Sequence, residues 1–187
     1  MQGAWYCPDP VETLCRTIPH GDDEYNECAK RMSLKLSFHP EFCQDTLCHS
    51  DTALRCGLDN RCPPEYLDNL SRLSALLGEI QESLNIRPGA LKINSGFRAE
   101  VLNARVGGVP NSQHCVGLAA DVVCPEFGKP QELAAAIAAL PCEFDQLILE
   151  FGKWVHVSVA PSNQTPRRQC LSIFSKDEGY LEGIVNR

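Results

Sequence analysis

Residues 146–159, QLILEFGKWVHVSV, constrain the fold more than any other stretch of this chain. Two apolar runs, QLILEF and WVHVSV, flank Gly152 and Lys153, and runs separated by so short a glycine-bearing break predict a β-hairpin. Alternation in the second run sends Val155, Val157 and Val159 to one face and His156 to the other, with Trp154 and Ser158. The valine face then needs apolar partners from elsewhere in the chain.

Two helices can supply them. Pro63-Pro64-Glu65 suits a first helical turn, and Leu67, Leu70, Leu73, Leu77, Ile80 and Leu84 recur at three- and four-residue steps. This predicts a core-facing helix over 64–84, stopped before Pro88. A second helix opens at Pro130, runs through the alanine-rich QELAAAIAAL and ends at Pro141. Between them, Leu91-Lys92-Ile93-Asn94 reads as a short strand followed by a turn at Ser95-Gly96. RAEVLNARV, residues 98–106, reads as a short helix capped by Gly107-Gly108, and LAADVVC, residues 118–124, as a buried strand. CLSIF, residues 170–174, joins the same sheet. The expected fold class is α+β, a small and largely antiparallel sheet with flanking helices. Residues 1–32 show no sustained period and are read as a cysteine-rich extension of unassigned role, leaving 33–187 as the main domain.

Composition removes several function classes. A formal net charge of -7 argues against a nucleic-acid binder and against attraction to anionic membranes. No run of apolar residues is long enough to span a bilayer, and MQGAWYCPDP lacks the basic and apolar regions of a secretory signal. Eleven cysteines are an odd count with no CxxC, so a zinc ribbon has little support and mostly free, buried thiols are expected, with some disulfides or an extra metal clip near the N-terminus as the other reading.

The chemistry concentrates in three residues. Asp121 lies among Ala119, Ala120, Val122 and Val123, where a carboxylate is costly to bury unless a charge compensates it. His156 sits in an equally apolar strand, and His114 precedes Asp121 in NSQHCVGLAAD, residues 111–121. Two imidazole nitrogens and one carboxylate oxygen are a competent zinc set that leaves a fourth position open. A strand histidine can equally be a satisfied core residue, and spacing alone leaves both readings open.

SQHCVGLAAD, residues 112–121, resembles the zinc signature of the D-Ala-D-Ala carboxypeptidase and murein endopeptidase family. INSGFRAEVLNARVGG resembles that family's Ser-Gly-(Tyr/Phe)-Arg segment, and FDQLILEFGKWVHVSV its closing strand. HSDTALRCGLDN with PPEYLDNL is similar to the N-terminal portion of its phage and prophage members. The resemblance spans residues 33–187 and implies a hedgehog/D-Ala-D-Ala peptidase-like fold. It implies one Zn(2+) per chain held by His114, Asp121 and His156, with Arg98 and Ser112 at the substrate. The implied activity is hydrolysis of peptidoglycan stem-peptide amide bonds, D-Ala-D-Ala or L-Ala-D-Glu. The implied setting is an endolysin made in the cytoplasm and acting in the periplasm or cell wall, or a virion-associated protein. A non-catalytic zinc-binding or structural module is the alternative.

The catalytic base departs from the family pattern. Many members carry an acid three residues before the third ligand, where this chain has Lys153. Glu150 is the candidate instead, and Asp145 the reserve. A two-residue loop would pair Glu150 with Val155 and turn it away from His156. A three-residue loop, Gly152-Lys153-Trp154, would set it opposite His156, and that register is expected.

Overall fold

The computed structural model describes residues 37–186; the 1–32 extension lies outside them. The expected α+β class holds, with a six-stranded sheet in the order β1-β2-β4-β3-β5-β6. The strands are β1 (Lys92–Ser95), β2 (Ala119–Val123), β3 (Gln146–Glu150), β4 (Trp154–Ser158), β5 (Gln169–Ile173) and β6 (Leu181–Glu182). The helices are α1 (Gln44–Cys48), α2 (Asp51–Cys56), α3 (Leu67–Ser83), α4 (Glu100–Arg105) and α5 (Pro130–Ala139). Among the described residues no helix is long and apolar enough to cross a membrane.

The sheet is largely antiparallel, as expected, with one exception: β5 pairs parallel to β3. The cause is edge availability. β2 already occupies the other side of β4, so the chain leaving Ser158 joins the nearer open edge, that of β3, starting where β3 starts. The sequence reading also omitted α1, α2 and β6, all short and without a countable period.

One face of the sheet packs on α3 and α5. Leu67, Leu70, Leu73, Leu77 and Ile80 of α3 and Leu133, Ala134 and Ile137 of α5 meet Ala120, Val122, Leu147, Leu149, Val155 and Val157 in a single core. Each of the Leu, Ile and Val side chains among them contributes about 1.5–3 kcal/mol on burial. Strand alternation then delivers Asp121, His156, Ile148 and Glu150 to the opposite face. Seven of the described cysteines are free thiols, as expected of most, but only Cys62, Cys124 and Cys142 of these are buried, and Cys43 is disulfide-bonded.

Gly96 joins the helical and sheet layers. A Cβ there would overlap the Leu47 carbonyl, which accepts the Phe97 N–H at 2.7 Å. Asn60 closes the same junction, its amide donating to the carbonyls of Cys48 and Phe97 and its oxygen accepting the Ala99 N–H. Gly96→Ala is therefore expected to cost roughly 1–3 kcal/mol or more, measured as a lowered urea midpoint, because backbone cannot yield as a side chain does.

Candidate functional site

His114 enters from a 3-10 turn, Gln113–Val116, ended by Gly117 at φ +71°. That left-handed residue sits close to the Tyr66 carbonyl and swings the chain into β2, which carries Asp121. In β4, His156 pairs directly across from Asp121. All three side chains are buried. Asp121 Oδ1 lies 3.2 Å from His114 Nε2 and 3.1 Å from His156 Nδ1, and the two nitrogens are 3.2 Å apart.

Proton positions decide what this triangle can hold. His114 Nδ1 is 2.7 Å from the Gly96 carbonyl, which can only accept, so the ring proton is on Nδ1. Its Nε2 then faces Asp121 with a bare lone pair. Burial keeps the His114 imidazole below its usual value, against the pull of Asp121. Burial alone would raise the Asp121 carboxyl, while positive charge and N–H donation at His114 and His156 would hold it below the usual carboxylate range; with those nitrogens bare, a cation has to take over that role. Lone pairs crowded in a buried pocket call for a cation. Zinc fits: at its usual bond lengths, neighbouring ligand atoms of a tetrahedron stand ~3.3 Å apart.

Glu150 shares the site face, but not in the expected register. It pairs with Trp154, and Ile148 is the residue opposite His156. The connecting segment does hold three residues, Phe151, Gly152 and Lys153, one position earlier than anticipated. Positive φ at Phe151 (+56°) and Gly152 (+65°), with the Lys153 N–H donating to the Glu150 carbonyl at 2.9 Å, gives the geometry of a type I′ turn. A shift of two residues preserves the side-chain face. Burial and the nearby Asp121 raise the Glu150 carboxyl above its usual value, opposed by His156, Trp154 and Arg98. A bound divalent cation would oppose that rise further.

Arg98 is held by its backbone N–H donating to the His114 carbonyl at 3.1 Å, and it interacts electrostatically with both His114 and Glu150. Its Nε is buried without a hydrogen-bond partner among the described residues, and a donor so placed in a site face suits a ligand that completes it. Ser112 precedes the 3-10 turn without capping it through its side chain. Lys153 is exposed in the hairpin turn. Asp145 does not join the cluster: Arg167 binds both its oxygens, at 2.9 and 2.5 Å, and holds the carboxyl below the usual range.

Sequence reasoning missed two neighbours. Gln113 contacts His156, with Oε1 3.1 Å from Nε2, although it sits unremarked between Ser112 and His114. Tyr180 lies near enough to Glu150 that burial and that carboxyl raise its hydroxyl. No periodic signal marks either residue. A family model described as Peptidase M15 matches residues 40–158, a span containing the triangle, Arg98 and Glu150. None of the curated proteins matches the chain.

Proposed function

The chain belongs to the peptidase M15 family, and from that premise we propose that it is a zinc-dependent peptidase cutting amide bonds in peptidoglycan stem peptides. The observation that carries this reading is the triangle of His114 Nε2, His156 Nδ1 and Asp121 Oδ1, with Glu150 on the same sheet face. His114, Asp121 and His156 would hold the metal, which supplies Lewis acidity and makes nearby water more acidic.

The remaining chemistry belongs to side chains of this chain. Glu150 accepts the proton of the attacking water and returns it to the leaving amine nitrogen, a task that suits a half-buried carboxyl with a raised pKa. Arg98 brings a forked guanidinium with an unpaired buried Nε to a terminal carboxylate or to the oxygen of the scissile carbonyl. Ser112, two residues before His114, contacts the bound peptide. Action on such a substrate fits an endolysin of phage or prophage type, working in the periplasm or cell wall, or a virion-associated protein.

Arg98→Lys keeps the charge but loses the fork, so kcat/KM for a muropeptide is expected to fall roughly tenfold or more, with zinc content unchanged. Steady-state kinetics beside metal analysis checks this. The reading as a whole is tested by mass spectrometry of purified muropeptides after incubation with the protein. Loss of a terminal D-Ala identifies a carboxypeptidase, and a cut between L-Ala and D-Glu an endopeptidase. Intact muropeptides with a folded, zinc-loaded protein would favour a non-catalytic zinc module.

A further inference from the structure

Behind His156, on the side away from Asp121, four side chains form an unbroken line of hydrogen bonds. Arg167 donates through Nε and Nη2 to the two oxygens of Asp145, at 2.9 and 2.5 Å, and its backbone N–H adds a third bond at 3.2 Å. Asp145 is only 3% exposed, and Gln113 Nε2 stands 3.1 Å from its Oδ2. Gln113 Oε1 stands 3.1 Å from His156 Nε2.

Each link in this line has one permitted direction. Asp145, ionised by its pairing with Arg167, can only accept, so the Gln113 NH2 group must face it. The Gln113 oxygen is thereby turned to His156, and that oxygen can also only accept. The His156 proton therefore belongs on Nε2, leaving Nδ1 bare toward Asp121 and His114. With the amide reversed, NH2 would face His156, the ring proton would move to Nδ1, and a cation could not bind there.

We propose that Gln113 is a positioning residue that sets the tautomer and orientation of His156 for metal binding, and that Asp145 and Arg167 act by locking the Gln113 amide. This rests on the zinc reading of the triangle. It also gives Asp145 a role other than proton transfer, since both of its oxygens are occupied. A merely structural role would make the same contacts matter for stability alone, so the tests read the metal and the ring proton.

In the zinc-free wild type, at a pH above the imidazole range, nitrogen NMR of labelled histidine should show His156 protonated at Nε2. In competition with a chelator, Gln113→Met should bind zinc roughly 10–100-fold more weakly than wild type. Its zinc-free unfolding midpoint should stay near the wild-type value. Asp145→Asn should weaken zinc binding less, and add nothing in the Gln113→Met background, because both act through one ring. Protonation of His156 at Nδ1, or a folded Gln113→Met binding zinc within about twofold of wild type, would overturn the proposal. Should Gln113→Met fail to fold, the wild-type imidazole signals decide alone. A wild type that takes up no zinc would overturn both this and the metal reading, whereas zinc uptake indifferent to Gln113 overturns this alone.

Discussion

Glu150→Gln is expected to take up zinc as the wild type does while cleaving muropeptides roughly 10²–10⁴-fold more slowly, the usual worth of a general acid–base group. The substitution keeps the size and the strand position, so the hairpin and the pairing with Trp154 survive. Only the capacity to accept a proton goes. The burial that raises the Glu150 carboxyl also eases this exchange, since a neutral amide is less costly there than a charge. Metal analysis with the muropeptide assay checks both halves. Undiminished cleavage would remove Glu150 from the base role, and Asp145, committed to Arg167 and Gln113, is not free to replace it.

The second large effect is expected at the metal. Asp121→Asn preserves the shape of the triangle but withdraws its only negative charge. Zinc affinity should fall by more than the roughly 100-fold that outer contacts can cost. Added zinc should raise the wild-type midpoint, since the folded triangle binds it more tightly than the unfolded chain does, and leave that of the variant nearly unmoved. Thermal unfolding with and without zinc reads both effects.

The orientation of His156 away from the core was legible because valines alternate with it, and period-two patterning survives any tertiary context. The oddity of Asp121 was legible as a charge set among small apolar residues. The hairpin register was not, since it turns on a positive φ at Phe151, a bulky residue that local preference places elsewhere. The parallel pairing of β5 was hidden because it follows from which sheet edges are already taken, a property of the assembled fold. The role of Asp145 was hidden for a related reason. Gln113 and Arg167 reach it from 32 and 22 residues away, and no local pattern announces such a meeting. What sequence shows well is which face a residue takes. What it hides is which distant side chain waits there.

The most direct test follows the metal and the substrate together: zinc content of the purified chain, and muropeptide cleavage before chelation, after it, and after zinc is restored. About one zinc per chain, cleavage lost with the metal and recovered with it, is the predicted result. Cleavage that persists in the zinc-free protein, or a folded, zinc-loaded chain that leaves every muropeptide intact, would contradict it.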